Sequence, residues 1–352
     1  PMAAESRRWV NLFVSADGVG RRYVLGRNEH AAALMKAIDV DGIIDDYAEP
    51  GTMWNGKPVL KGNQIPAEAI AINCSMSISP VSASRRLAGL NIAGALGLTD
   101  LCRVFPDRFP LPDFVLRTRE DLVRNSAHWE HLAEALADAE SRQVLDDVLR
   151  FRVTGDPLAM QRYSVRLRAQ YFEDFLNHDP GEVFVDGGGF DGDTTEEFCR
   201  RHPDYKKVFF FEPSVANLQK ARVRLINLHS IEFIEKGLSD QTGTLAFNPD
   251  AGSASGVNEA GSCRIQVTTL DDEVRETVSF IKMDLEGWEL NALAGSRQHI
   301  LAEHPKLAIA AYHRPSDFWG IFNFVTGLRA DYKVYLRHYT EGWSETVMYF
   351  IR

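Results

Sequence analysis

A chain of 352 residues with 45% hydrophobic and 25% charged side chains is long enough for two globular domains and too apolar to be disordered. Its 39 basic and 49 acidic residues leave a formal charge of -10, which argues against a nucleic-acid-binding surface. Phosphate contacts need a clustered basic stripe, and Arg85-Arg86 and Arg200-Arg201 are isolated pairs.

No apolar run approaches the length needed to span a bilayer, so no membrane insertion is expected. The four cysteines, at 74, 102, 199 and 263, lack metal-type spacing and read as reduced thiols of a cytoplasmic protein. The opening Pro1-Met2 reads as a trimmed tag or a partial N-terminus.

Residues 1–119 read as a small α/β domain. Arg22-Tyr-Val-Leu-Gly26-Arg-Asn28 is a strand and turn, and Leu34, Met35 and Ile38 mark a helix face. Further strands are expected at 42–46, 57–60 and 69–73. Residues 120–178 form a helical connector, helical to about Tyr171, with Leu132, Leu136, Val144, Leu145, Val148 and Leu149 recurring at helical spacing. The turn formers Asn177-His-Asp-Pro-Gly181 open the final domain, 179–352.

That domain begins with the most informative run of the chain, Glu182-Val-Phe-Val-Asp186-Gly-Gly-Gly-Phe-Asp-Gly-Asp193-Thr-Thr, answered by Phe209-Phe-Phe-Glu212-Pro-Ser214. An apolar strand breaks at a carboxylate into four glycines within six residues and then enters a helix, so that backbone can approach a ligand at the carboxyl end of a parallel strand. The second strand ends in Glu212, 26 residues after Asp186, in the usual place for a carboxylate that grips ribose hydroxyls. Dinucleotide sites put a pyrophosphate on the helix N-terminus, where Asp186, Asp191 and Asp193 would repel it. A sulfonium and an α-amino group would be attracted instead. The turn therefore favours S-adenosylmethionine over NAD, with Gly187, Gly188, Gly189, Phe190 and Thr194 beside it.

Downstream, strands and helices alternate, which predicts a doubly wound, mostly parallel sheet. Ser214 caps a helix with a stripe of Val215, Leu218, Ala221, Leu225 and Leu228. Strands follow at 231–234, 280–284 and 307–313, with an antiparallel pair at 243–247 and 264–267. The Gly/Ser/Asn loop between the members of that pair reads as a flap. Residues 288–300 read as one helix, and strands at 332–336 and 346–351 as a closing antiparallel hairpin. Lys282 alternates with Ile281 and Met283 and is expected at a surface or interface.

These pieces resemble the FkbM family of S-adenosylmethionine-dependent methyltransferases. The likeness is carried by Val185-Asp-Gly-Gly-Gly-Phe-Asp-Gly-Asp-Thr-Thr195, Phe211-Glu-Pro213, Gly237-Leu-Ser-Asp240, Ile281-Lys-Met-Asp-Leu-Glu-Gly287 with Glu289 and Gly295, and Tyr312-His313. The resemblance implies a Rossmann-like methyltransferase domain over 179–352 and O-methylation of hydroxyls in polyketides, sugars or glycan precursors. Many members carry a glutamate shortly before the histidine. Here the segment reads Ala310-Ala-Tyr-His313, and no role of that glutamate carries over. The N-terminal domain is similar to the Rossmann-like N-terminal domain of bacterial sugar acyltransferases through Gly42-Ile-Ile-Asp-Asp46, Gly56-Lys-Pro-Val-Leu60 and Ser84-Arg-Arg-Leu87. Those domains bind nucleotide sugars. Here packing or homo-oligomerisation is the larger expectation.

Methyl transfer is an in-line displacement that needs a collinear nucleophile and, for an alcohol, a base near the methyl. His313 is the first choice of base, with Asp284 at the neighbouring strand tip. The competing view of His313 is a strand-end histidine bonded to backbone. Asp284 and Glu286 can face the cofactor's amino acid portion, the acceptor or, with His313, a divalent ion. They can equally cap the following helix. A metal is not the leading expectation.

Pro213, Gly237, Leu238 and Asp240 are assigned to the cofactor, with Asp240 accepting from the adenine amino group unless Gly237-Leu-Ser-Asp240 is a plain turn. Tyr171 and Phe172 close over the cofactor or belong to the core. His338, Tyr339 and Trp343 shape an acceptor pocket or an apolar lid. The expected partner is a small-molecule or glycan-precursor acceptor. The rival readings are a nicotinamide-dependent oxidoreductase and a nucleotide-sugar-binding module with an inactive second domain.

Overall fold

A computed structural model describes residues 4–15, 21–248, 256–257 and 263–352. The opening Pro1-Met2 and, apart from residues 248, 256, 257 and 263, the expected flap lie outside the described residues. The chain divides into two compact units. One comprises Pro1–Val123, Asp146–Val165 and Thr340–Ser344, the other Arg124–Leu145, Arg166–Tyr339 and Glu345–Arg352. Among the described residues no helix is long and apolar enough to cross a membrane.

The first unit holds strands β1 (Arg22–Leu25), β2 (Gly42–Ile44), β3 (Met53–Trp54), β4 (Lys57–Leu60), β5 (Ile70–Asn73) and β6 (Gly94–Gly97), in the order β3-β4-β2-β1-β5-β6. All pairings are parallel except the short β3-β4 hairpin. Asn28 caps the helix Glu29–Ala37 by accepting from the Ala31 N–H at 2.9 Å. β6 and the helices Ala4–Val14, Pro80–Ala88 and Leu98–Val104 extend the unit beyond what the sequence pattern suggested. Glu341, in the segment 340–344, accepts at 2.7 Å from both the N–H and the hydroxyl of Ser82 in the first turn of Pro80–Ala88. An internal carboxylate thus occupies the helix end where a phosphate would dock.

The second unit is built on β7 (Val183–Gly187), β8 (Lys207–Phe211), β9 (Ile231–Ile234), β14 (Phe280–Met283), β15 (Lys306–Ala310), β16 (Lys333–His338) and β17 (Thr346–Ile351). Between them lie β10 (Gly237–Leu238), β11 (Gly243–Asn248), β12 (Gly256–Val257) and β13 (Cys263–Thr268). The main sheet runs β16-β17-β15-β14-β7-β8-β9, and β10 to β13 form a smaller sheet. β9, β8, β7, β14 and β15 are parallel, and β17 is antiparallel to β15 and β16. This is the doubly wound plan expected, with its closing hairpin. The chain leaves β7 for β8 on one side and returns to β14 on the other, which opens a crevice at the carboxyl ends of β7 and β14.

Several local expectations change. The helical stretch 120–171 is three helices, Asp113–Arg124, Ser126–Ala135 and Ala139–Thr154, followed by single 3-10 turns. Gly155 adopts φ +64° and Pro157 lacks an N–H, so helix cannot propagate past Thr154. The expected helix 288–300 breaks into Glu289–Ala294 and Arg297–Glu303, because Gly295 passes so close to the Ser239 carbonyl that a Cβ would lie 2.0 Å from it. Gly237 and Leu238 form a strand paired with Val267 and Thr268, not a free turn. Val215 is exposed, outside the buried stripe of Leu218, Ala221 and Leu225.

The largest departure is Lys282. It is 3% exposed, since β14 lies mid-sheet and is buried on both faces, so alternation cannot direct a side chain to water. Lys282 sits in register with Asp186 of β7 and donates to its Oδ1 at 3.0 Å, to the Gly188 carbonyl at 2.8 Å and to the Gly187 carbonyl at 3.2 Å.

A second buried charge sits at the opposite end of β7. Burial alone would raise the Glu182 carboxyl, but His178, Lys306 and the Ser279 hydroxyl outweigh it and bring it from 4.5 to about 2. A depressed carboxyl stabilises the fold above its unfolded pKa and loses that contribution as pH falls from about 4.5 toward 2, an amount of about 3 kcal/mol. Denaturant titrations at pH 6 and pH 2.5 should show the parent losing about 2–3 kcal/mol more than Glu182→Gln does. Equal losses would remove Glu182 as a source of acid sensitivity.

Candidate active site

The turn after β7 is shaped first by packing. Gly188, at φ +73°, passes the Asp284 carbonyl so closely that a Cβ would lie 2.0 Å from its oxygen, and a Cβ on Gly189 would lie 2.2 Å from the Phe210 ring. These two glycines let the ends of β7, β8 and β14 converge, which sets the floor of the crevice. Of the non-glycine residues with positive φ among those described, Tyr171, Phe190, Glu286 and Glu345 line the same cleft. Such strained backbone accumulates where function constrains the chain.

The acids of the turn are not the bare cluster the sequence suggested. Asp186 is fully buried, paired with Lys282 and accepting from the Thr195 hydroxyl at 2.6 Å. Asp191 is paired with Arg224 at 2.7 Å. Both cations lie far along the chain. Of the three acids Asp193 alone faces the cleft, which corrects the argument from a triple negative charge.

The cleft measures about 1470 Å³, room for a nucleoside cofactor and an acceptor together. At one end Glu212, at the tip of β8, accepts from the Phe190 N–H at 3.0 Å and the Ser214 N–H at 2.8 Å, which aims its carboxylate along the Gly-rich turn. Burial raises its pKa against those hydrogen bonds. Pro213, Gly237, Leu238, Ile265 and Val267 give that end an apolar wall. At the other end stand Asp284, Glu286, Trp288 and Tyr312. Of the residues assigned to a cofactor, Tyr171, Gly188, Phe190, Thr194, Glu212, Pro213, Gly237, Leu238 and Asp284 line the cleft. Asp186, Gly187, Gly189, Asp191 and Asp240 do not line it: the first four support the turn, and Asp240 is exposed and accepts from the Ser239 hydroxyl.

Asp284, just past β14, accepts from the Tyr171 hydroxyl at 2.8 Å and more weakly from that of Tyr312 at 3.4 Å. Behind it lies His313. Its Nε2 is 3.4 Å from both Asp284 Oδ1 and Glu286 Oε2, and its Nδ1 is 3.2 Å from Glu289 Oε1. Burial opposes a charge on the ring, but Glu289, Glu286 and Asp284 outweigh it and hold its pKa well above 6.5. A ring favoured in its charged form is a poor base, and His313 does not line the cleft.

Glu289 was read from the sequence only as part of a motif. It is fully buried and ties the turn together by accepting from the N–H groups of Leu285 at 2.7 Å and Gly287 at 3.3 Å. The surrounding negative charge also shows in Asp317 and Glu345. Burial, aided by Glu289 and Asp284 respectively, raises both to about 7. His338, Tyr339 and Trp343 do not shape the cleft. His338 ends β16 against the Thr346 hydroxyl, Tyr339 donates to Glu173, and Trp343 belongs to the other unit.

Comparison with known proteins bears on this site. Residues 186–339 match the family model described as the methyltransferase FkbM domain. A methyltransferase FkbM from Methylobacillus flagellatus is similar at 26% identity with a TM-score of 0.75, over 99% of this chain and 94% of that one. An rRNA methylase from Streptococcus thermophilus is similar at 19% identity and a TM-score of 0.35 over 55% of this chain and 95% of its own. Fibrillarin from Aeropyrum pernix, solved with S-adenosylmethionine, is similar at 11% identity and 0.34 over 53% of this chain and 71% of its own. No curated protein matches the sequence. Residues 186–339 thus match a methyltransferase FkbM domain, and the fold of nearly the whole chain is similar to that of a methyltransferase FkbM.

Proposed function

We propose that the protein transfers a methyl group from S-adenosylmethionine to a hydroxyl of a small or carrier-bound metabolite, a sugar unit or glycan precursor being the favoured acceptor. The observation that carries this reading is the continuity of one cleft from Glu212 to Asp284. Glu212 grips the ribose hydroxyls, and the Leu238, Ile265 and Val267 wall takes the adenine. The methyl then points toward Asp284 and Glu286. Asp284, steadied by Tyr171, orients the acceptor hydroxyl and takes its proton as the new bond forms, so the base role passes from His313 to Asp284. The preference for sugars rests on the likeness of the N-terminal unit, which would also carry self-association. The buried free thiols Cys74, Cys102 and Cys199 suit a reducing, cytoplasmic compartment.

Calorimetric titration with S-adenosylhomocysteine, NAD and nucleotide sugars in parallel tests the cofactor. Saturable binding of S-adenosylhomocysteine alone supports the reading, and binding of NAD alone would replace it with a dehydrogenase. With an acceptor in hand, Asp284→Asn should lower kcat by about 10²–10⁴-fold while S-adenosylhomocysteine affinity stays within a few-fold. An unchanged kcat would take proton transfer away from Asp284.

A further inference from the structure

The cluster behind the cleft is incomplete as a set of ion pairs. Glu289 is 1% exposed, and its Oε2 has no hydrogen-bond partner. Neither ring nitrogen of His313, each shielded from solvent, has one with proper geometry, although carboxylate oxygens stand 3.2–3.4 Å away. Buried polar atoms are seldom left so. Those separations are long for charge-assisted hydrogen bonds. The 3.4 Å separations at Nε2 match the spacing of two ligands on one ion, since bonds of about 2.0–2.2 Å at tetrahedral angles put neighbouring ligands about 3.3–3.6 Å apart, while Glu289 faces the other ring nitrogen, Nδ1. Asp284, Glu289 and His313 each present a ligand atom within 4.8 Å of the others, and Glu286 adds a third carboxylate beside the ring. A divalent cation would take the lone pair of a ring nitrogen, displacing its proton to solvent, and would offset the negative charge of the carboxylates gathered there.

We propose that Asp284, Glu289 and His313 form a divalent cation site, with Glu286 at its edge and the open side toward the cleft. One imidazole among carboxylates suits a borderline ion such as Mn²⁺ or Zn²⁺ better than Ca²⁺. The site stands on its own geometry. Its use, holding the acceptor hydroxyl against Asp284 and easing loss of its proton, rests on the methyl-transfer reading.

The test is titration of the chelator-stripped full chain with Mn²⁺, without cofactor or acceptor, followed by pulsed EPR. The expected result is one ion per chain with coupling to a single imidazole nitrogen. Asp284→Asn and Glu289→Gln should each weaken binding at least tenfold, and His313→Gln should abolish the nitrogen coupling. Circular dichroism checks the fold of each variant. If a buried variant does not fold, the parent's nitrogen coupling and the Asp284→Asn titration decide. Absence of saturable binding at millimolar Mn²⁺, binding without nitrogen coupling, or an affinity indifferent to Asp284→Asn overturns the site. Titration with S-adenosylhomocysteine in EDTA separates that failure from failure of the methyltransferase reading.

Discussion

Glu212→Ala should weaken S-adenosylhomocysteine binding by about tenfold to over a hundredfold, the 1.5–3 kcal/mol range of hydrogen bonds to a charged group. The loss has two parts. The carboxylate that would accept from the ribose is removed, and the N–H groups of Phe190 and Ser214 lose the acceptor that fixes the turn and the start of the helix Val215–Arg224. Glu212→Gln keeps one acceptor oxygen and should fall between parent and Ala. Calorimetry on all three proteins reads the series. An Ala variant that binds as tightly as the parent would mean that the nucleoside lies elsewhere in the cleft.

Lys282→Met should cost about 3–5 kcal/mol of folding stability, the range for breaking a buried ion pair from one side. Asp186 would keep only the Thr195 hydroxyl against a buried negative charge, and the carbonyls of Gly187 and Gly188 would lose their common donor. The double variant Lys282→Met with Asp186→Asn removes both charges and should recover much of the loss. Urea denaturation of the single and double variants measures this. A single variant within about 1 kcal/mol of the parent would show that the pair contributes no more than a surface one.

The sequence carried the fold where periodicity and turn chemistry agreed. β7, β8 and β9, the capped helices after Asn28 and Ser214, and the closing hairpin were legible because each rests on local signals. Lys282 was misread because alternation assigns faces only when one of them meets water, and β14 has none. Its clue was a second charge, Asp186, on another mid-sheet strand. Asp191 was misread because its partner Arg224 lies one helix later, beyond any local pattern. In the candidate site the cofactor end was legible from glycines and a strand-end acid. The caging of His313 was not, since it depends on where the buried Glu289 turns its carboxylate.

β15 carries a cost during synthesis. One of its edges pairs with β17, whose first residue, Thr346, is made 36 residues after Ala310. At about 5–20 residues per second those residues take about 2–7 s to add, and β17 must then leave the ribosome and dock before that edge is paired. The exposed strand includes Leu307, Ala308, Ile309 and Ala310, all fully buried once folded. Until β17 docks, an apolar strand with unpaired backbone groups is open to association with other chains. Faster docking of β17 or chaperone cover, rather than greater native stability, is therefore what would raise the yield of folded protein.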